Sequence, residues 1–179
     1  PAPEVPDHFA LSASGEGFLP STADVEAAML ESGALTVDFT LDPIQGNAVA
    51  IEAVPDVHHL GDNRFDGRIN SQFQKESEGS SFTAEFELLE EQLSPQVTRA
   101  ELRLWAKGVQ RRHRIYINGT ELDQKLDDAP SDGGFGEFVA RFDVALLRPG
   151  TNTLKIEAAP SRSDIDDFEF VNVQIRLLP

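Results

Sequence analysis

Three runs of sequence between Ala100 and Glu157 decide the fold, namely AELRLWAKG (100–108), HRIYINGTEL (113–122) and FGEFVARFDVALLRPGTNTLKIEA (135–158). Apolar and polar residues alternate in each run, and in the first run Leu102 and Leu104 alternate with Arg103 and Trp105. A period of two residues is typical of a strand that buries one of its faces. The stretch therefore predicts a strand, a hairpin and two further strands.

Two turns are specified by local sequence. Asn118-Gly119 follows an apolar strand, and this pair tolerates the positive φ angles of a tight hairpin. Pro149-Gly150 predicts a second turn before the strand that contains Leu154 and Ile156, because proline presets φ and glycine adopts the left-handed conformation.

The rest of the chain must pack on this framework. Alternation predicts strands over residues 37–41, 49–53, 82–88 and 171–177. Residues 21–32 predict a short helix, since Ser21 can cap it and Gly33 can end it. Residues 55–81 have no periodicity and predict a functional or partly ordered loop. In total, the sequence predicts eight or nine strands and one helix.

Four pieces of the second half carry a family resemblance: Ile115–Gly119, Phe142–Val144, Leu147–Ile156 and Asp166–Phe170. Together they resemble the galactose-binding-like β-sandwich, a jelly roll found in many carbohydrate-binding modules and in accessory domains of glycoside hydrolases. The resemblance implies an all-β fold, a two-sheet jelly-roll sandwich with one short helix in its N-terminal half. We expect the sandwich to span residues 9–179, after an extended tail or linker over residues 1–8.

Composition narrows the possible partners. The chain has 15 basic and 31 acidic side chains and a net charge of −16, which disfavours binding to nucleic acid and to anionic membrane surfaces. Without cysteine it has neither disulfides nor thiol chemistry. No apolar run is long enough to insert into a bilayer.

The beginning of the chain bears on its location. It starts at Pro1 and has three prolines in its first six residues, which is typical of an extended linker. A processed start of this kind favours an exported module, either extracellular, periplasmic or on the cell surface. A cut made inside a longer chain explains the same start equally well.

The polar faces of two strands form the main candidate site. Strand parity places Trp105 and Tyr116, the only tryptophan and tyrosine, opposite the core together with Arg103, Arg112 and Arg114. If the two strands are neighbours, these residues form a platform for a glycan, with residues 127–136 as its rim. Aromatic rings would stack on the sugar, and the arginines would favour an acidic one. The alternative is that first-half segments cover the aromatic residues and carboxylates pair with the arginines.

Candidate metal ligands lie in two places. Residues 62–73 partly match a calcium loop, but Arg64 and Phe73 occupy ligand positions, so a turn-rich loop is the better interpretation. The family resemblance implies a possible structural calcium near the closing strand, at Asp166 and Asp167. Of the four histidines, His58 and His59 are adjacent, and neighbours in an extended segment face opposite ways, so we do not expect them to share a metal. We interpret them as histidines of a surface loop.

No motif for catalysis is present. The sequence lacks a Gly-x-Ser-x-Gly elbow, and its glycine-rich stretch 133–136 precedes a strand where a phosphate loop precedes a helix. We therefore expect a non-catalytic carbohydrate-binding module of a secreted or cell-surface protein. One alternative is a structural or protein-interaction domain that binds no sugar. Another is a glycoside hydrolase, which would need two carboxylates facing each other across a cleft.

Overall fold

The computed structural model describes residues 7–30, 33–44, 47–63, 73–127, 133–161 and 164–179. Helical segments are short in this part of the chain: α1 (Ala27–Leu30) and 3-10 turns at Glu90–Leu93 and Val144–Leu146. The strands are β1 (His8–Ala13), β2 (Ser21–Glu26), β3 (Ala48–Ala50), β4 (His58–Leu60), β5 (Ser81–Leu88), β6 (Arg99–Lys107), β7 (Arg114–Ile117), β8 (Thr120–Glu121), β9 (Gly136–Asp143), β10 (Gly150–Glu157), β11 (Pro160–Ser161), β12 (Asp164–Ile165) and β13 (Phe168–Leu178).

Two antiparallel sheets form the body of the fold. One has four strands in the order β5-β10-β7-β8. The other has five: four in the order β3-β13-β6-β9, and β4, which pairs with the start of β13. Leu102 and Leu104 from the larger sheet and Ile115 and Ile156 from the smaller one share a single buried core. Burying each of these side chains contributes roughly 1.5–3 kcal/mol. The structure thus confirms the all-β sandwich that the sequence predicts.

Consecutive strands β6 and β7 belong to different sheets. β6 pairs with β13 and β9, whereas β7 pairs with β10 and β8. The chain crosses between the sheets after Gly108, which has a φ of 77°, and the Asp166 carboxylate accepts hydrogen bonds from the Gln110 and Arg111 amides at 3.0 and 2.8 Å. The expectation that β6 and β7 are neighbours is therefore wrong. A short connection can bridge the roughly 10 Å between packed sheets as well as turn within one.

A β-bulge at Asn172 reverses the parity of β13. The register against β6 shifts between Val171 and Gln174, and Asn172 has a φ of 58°. Phe168 and Phe170 belong to the core before the bulge, and Val173, Ile175 and Leu177 belong to it afterwards. The extra residue is what allows both apolar series to face inward. As a result, Gln174 and Arg176 lie on the outer face of the sheet.

The outer face of the five-stranded sheet is partly covered by the first part of the chain. β1 pairs with β2 as a hairpin, and the Asn172 and Gln174 side chains both donate to the Pro20 carbonyl, at 2.9 and 2.8 Å. Leu19 and Val25 from this region are buried. The N-terminal hairpin is therefore tied to β13 by side chains that stand next to the bulge.

Two N-terminal predictions change in detail, and a third is not tested. The short helix is present but occupies only Ala27–Leu30, because residues 21–26 pair with β1. Residues 36–41 keep their alternating burial but have no ladder partner among the described residues. Residues 1–6 of the predicted tail lie outside the described part of the chain. Within that part, no helix is both long and apolar enough to cross a membrane.

We predict that the bulge depends on the left-handed conformation of residue 172. Asn172→Gly should keep this backbone and lose the side-chain bonds to Pro20, Thr22 and Gln174, whereas Asn172→Ala should lose the same bonds and add roughly 1–2 kcal/mol of backbone strain. Urea unfolding should therefore rank stability as wild type, then the glycine variant, then the alanine variant. Equal stability of the two variants would contradict this account of the bulge.

Candidate functional site

A cleft opens on the outer face of the five-stranded sheet, beside the N-terminal hairpin. Its volume is about 240 Å³, and the half-buried Trp105 indole forms part of its wall. Pro20 and Asp42 come from the N-terminal part of the chain, and strands β6, β9 and β13 supply most of the other lining residues. Its lining comprises Leu19, Pro20, Ser21, Thr40, Asp42, Arg103, Trp105, Glu137, Gln174 and Arg176.

Strand register explains why these side chains meet. Trp105 of β6 is paired with Glu137 of β9, and Arg103 is paired with Gln174 of β13. Paired residues on antiparallel strands point to the same face, so all four project outward from the sheet. Arg176 follows on the same face two residues after Gln174.

Carboxylates neutralise the arginine on one wall of the cleft. Arg103 donates to Glu137 at 3.0 Å and to Glu101 at 3.0 and 3.1 Å, and Arg141 donates to Glu101 at 3.0 Å. Burial alone would raise the pKa of Glu101, but hydrogen bonds and charge from Arg141 and Arg103 outweigh it and hold the pKa below its usual value. This wall is consequently rigid and close to neutral.

The β13 side of the cleft has unmatched polar atoms. Arg176 reaches Asp42 at 3.4 Å, but its Nε is buried and has no hydrogen-bond partner among the described residues. Gln174 is 1% exposed, and its Oε1 also has no partner in the described part of the chain. A second cavity of about 220 Å³ shares Leu19, Asp42 and Arg176 with the cleft. The two cavities are therefore adjacent at the Asp42–Arg176 pair.

The predicted platform is divided between two faces of the sandwich. Trp105 and Arg103 lie in the cleft, whereas Tyr116 and Arg114 lie on the outer face of the other sheet. There the Tyr116 hydroxyl donates to Glu157 at 3.0 Å and Lys155 Nζ lies 5.6 Å from the ring centroid, beside a groove of about 340 Å³. The five residues therefore cannot contact one sugar together.

The remaining parts of that prediction lie elsewhere. Arg112 is 73% exposed and donates to Asp127 at 2.8 Å. Of the predicted rim, residues 128–132 lie outside the described part of the chain. Phe135 is buried, and its ring centroid lies 5.0 Å from Lys107 Nζ, while its amide donates to Asp24. Phe135 thus contacts the N-terminal hairpin through Asp24, and it is not among the residues that line the cleft.

Sequence reasoning missed the two cleft residues on β13 and the one opposite them. Gln174 and Arg176 are simply the polar half of an alternating strand, and Asp42 lies in a segment without pairing. The available signal was parity: the polar residues of the last strand share a face with Trp105 if the two strands are paired. That pairing, unlike the alternation, is not visible in the sequence.

A second polar cluster is fully buried at the start of β13. Lys107 Nζ lies 3.1 Å from Glu169 Oε2, and both side chains are at most 2% exposed. Glu169 also accepts hydrogen bonds from the Gln74 and Lys75 amides, and His59 donates to the Lys75 carbonyl at 2.6 Å. These groups hold residues 73–80 on the sheet. The surface-loop interpretation of His58 and His59 is wrong, because both are buried in β4.

His58 is held between two carboxylates. Its Nδ1 lies 2.9 Å from Glu78 and its Nε2 lies 2.9 Å from Glu52, while its ring packs against Phe82 and Phe170. A neutral imidazole can donate through only one nitrogen, so the geometry requires the doubly protonated ring. Burial lowers the pKa of His58, but hydrogen bonds and charge from Glu52 and Glu78 outweigh it and raise the pKa overall.

The predicted metal ligands are separated. Asp167 lies with Asp62 and Asp164, and one oxygen from each lies within 4.8 Å of the others. Asp167 Oδ1 accepts from His59 at 2.9 Å and from the Asn63 amide at 3.0 Å, and its buried Oδ2 has no partner among the described residues. Asp166 instead lies 3.1 Å from His113 and binds the crossover amides. Residues 64–72 of the partial calcium loop lie outside the described residues.

Comparisons with known proteins return structural matches alone. No family model and no curated protein matches the sequence. A family 35 carbohydrate-binding module from Clostridium thermocellum is 14% identical with a TM-score of 0.38, covering 69% of this chain and 96% of that one. A β-porphyranase of glycoside hydrolase family 86 from the human gut bacterium Bacteroides plebeius is 19% identical with a TM-score of 0.36 over 55% of this chain. An exo-β-1,3-galactanase from Phanerochaete chrysosporium is 13% identical with a TM-score of 0.32 over 50% of it.

This chain spans 18% of the length of the porphyranase and 20% of the length of the galactanase. At these TM-scores the conclusion about fold rests on the strand pairing and shared core described above.

We predict that His58 makes stability depend on pH. Its folded pKa is raised, so its contribution should be complete below about pH 6.5 and should be lost as pH rises through the folded value. The free energy of unfolding in urea should fall by roughly 1–3 kcal/mol more in wild type than in His58→Gln between pH 6 and pH 9. An identical pH profile for His58→Gln and wild type would show that the contacts of His58 with Glu52 and Glu78 do not stabilise the fold.

Proposed function

We propose that this domain binds carbohydrate, without catalysis, in the cleft beside Trp105. The observation that carries the proposal is a half-buried indole inside a cleft whose other lining residues include both hydrogen-bond donors and acceptors. A sugar ring has an apolar C–H face and a rim of hydroxyls. Its apolar face would stack on Trp105 while its hydroxyls reach Ser21, Thr40, Gln174 or Arg176.

The arrangement of carboxylates favours binding over hydrolysis. Asp42 and Glu137 are the two acidic side chains that line the cleft, and each of them pairs with an arginine, at 3.4 and 3.0 Å. A glycoside hydrolase uses two carboxyl groups that face each other across the scissile bond, one as acid and one as base or nucleophile. Carboxylates committed to Arg176 and Arg103 are poorly suited to those roles.

The same pairing bears on the expected preference for acidic glycans. Arg103 and Arg176 already face carboxylates, so an acidic sugar would have to displace Glu137 or Asp42 to reach them. We keep uronic-acid oligosaccharides in the test for this reason. With this binding role we propose that the domain is an accessory module of a secreted or cell-surface protein.

We predict that the two aromatic residues respond differently to substitution. Trp105→Ala should lower affinity for a bound oligosaccharide by about tenfold or more, because one stacking face is lost, whereas Tyr116→Ala on the opposite sheet should leave it unchanged. Calorimetry is the suitable measurement, since Trp105→Ala removes the only tryptophan. Wild type is first screened by tryptophan fluorescence with neutral and uronic-acid oligosaccharides.

Two outcomes would overturn this assignment. Loss of binding in Tyr116→Ala and not in Trp105→Ala would move the site to the other sheet. If no sugar in the panel changes the Trp105 signal or gives heat, the structural or protein-interaction role becomes the better conclusion.

We also infer that Asp62, Asp164 and Asp167 hold a divalent cation with a structural role, calcium being the best match. Their oxygen atoms lie close enough to share one ion, and hard oxygen donors are the ligands that calcium prefers. The buried Asp167 Oδ2 without a partner in the described chain supplies an oxygen that an ion would satisfy. Such an ion would join β4 and the following loop to the segment before β13.

Calcium should therefore raise thermal stability. At a hundredfold excess over its dissociation constant the gain is about 2.7 kcal/mol, which corresponds to a rise of roughly 5–10 °C in Tm for a domain of this size. Asp164→Asn should abolish the rise, whereas Asp123→Asn, at an exposed position elsewhere, should keep it. A rise that survives in Asp164→Asn, or a wild-type Tm that is the same in calcium and in EDTA, would contradict the site.

A further inference from the structure

The deepest residue of the cleft offers an acceptor and no donor. Both amide hydrogens of Gln174 are used, since its Nε2 donates to the Pro20 carbonyl at 2.8 Å and to Asn172 Oδ1 at 2.7 Å. Its Oε1 is buried and has no partner among the described residues. The group that remains to be satisfied at this point is therefore a carbonyl oxygen, which requires a donor from the ligand or from water.

The neighbouring residue on the same face offers a donor. Arg176 follows Gln174 by two residues in β13 and also lines the cleft. One of its terminal nitrogens donates to Asp42, while its Nε–H is buried without a partner in the described chain. The end of the cleft thus presents an unmatched acceptor beside an unmatched donor, both on a rigid strand.

A ligand that satisfies Gln174 Oε1 and Arg176 Nε–H must donate one hydrogen bond and accept another. A sugar hydroxyl does both, whereas a carboxylate only accepts. A carboxylate placed against Arg176 would put its lone pairs towards the Gln174 carbonyl and its charge near Asp42, and both contacts are repulsive. We propose that the cleft selects neutral glycans over uronic acids, because Gln174 and Arg176 form hydrogen bonds with hydroxyl groups of one sugar.

This inference rests on the proposed function and names the class of ligand for the same cleft. The sequence predicted an acidic glycan because three arginines lie on the polar faces of the strands, and this inference replaces that expectation. The reversal follows from the pairing of Arg103 and Arg176 with carboxylates, and from the nature of the atoms that remain unmatched.

The test compares sugars that differ only at the carboxyl group. Methyl β-glucoside and methyl β-galactoside are titrated against methyl β-glucuronide and methyl β-galacturonide, with Trp105 fluorescence and saturation-transfer NMR as readouts. In every pair that binds, we expect the neutral sugar to bind about tenfold more tightly than its uronide, with an affinity that is unchanged in 0.5 M salt. A uronide that binds as tightly as its neutral partner would overturn the inference and leave the proposed function standing. Absence of any response in all four would overturn both.

Arginine chemistry at position 176 gives a second arm. Arg176→Lys keeps a positive charge beside Asp42 but lacks the Nε–H, so affinity for the neutral sugar should fall about tenfold while Tm is retained. Arg114→Lys on the opposite sheet is the matched control and should bind as wild type does. Wild-type affinity in Arg176→Lys would overturn the role of this residue. If Trp105→Ala also bound as wild type does, the failure would lie with the site itself.

Discussion

The bulge at Asn172 is the constraint on which the cleft depends. One extra residue in the central strand β13 lets Phe168 and Phe170 face the core before it and Val173, Ile175 and Leu177 face the core after it. The same shift sends Gln174 and Arg176 to the outer face, where Trp105 already lies. Asn172 itself bonds to the Pro20 carbonyl, so a single irregularity sets the core, the cleft wall and the position of the N-terminal hairpin.

Much of the second half of the fold could be predicted because its signals are local. Alternation predicted strands that became β5, β6, β7, β9 and β10, and Asn118-Gly119 formed the expected tight turn, with φ angles of 49° and 81°. Residues 36–41 show the limit of this reasoning: they alternate in burial but have no ladder partner among the described residues. Alternation reports which side of a chain is buried, and it does not report what lies beside the backbone.

The candidate site was harder to predict because it depends on which strands are neighbours. Trp105 and Tyr116 were both correctly expected to point away from the core, yet β6 and β7 lie in opposite sheets, so the two rings face opposite sides of the molecule. His58 and His59 were expected in a surface loop, and the partner that buries His59 is distant in sequence, Asp167 being 108 residues away. Long-range ion pairs leave no periodic trace in a single sequence.

The chemistry of the cleft follows from which charges are left unpaired, and the number of charges is a poor guide to it. On a chain with a net charge of −16, an arginine near a carboxylate is the expected arrangement, and both cleft arginines have one. The charges of Arg103 and Arg176 are therefore neutralised within the protein, and the ion pairs hold the walls of the cleft in place. What the cleft retains for a ligand is a buried carbonyl of Gln174, a buried N–H of Arg176 and an indole face. Those three groups match the C–H face and hydroxyls of a neutral sugar better than the charge of an acidic one.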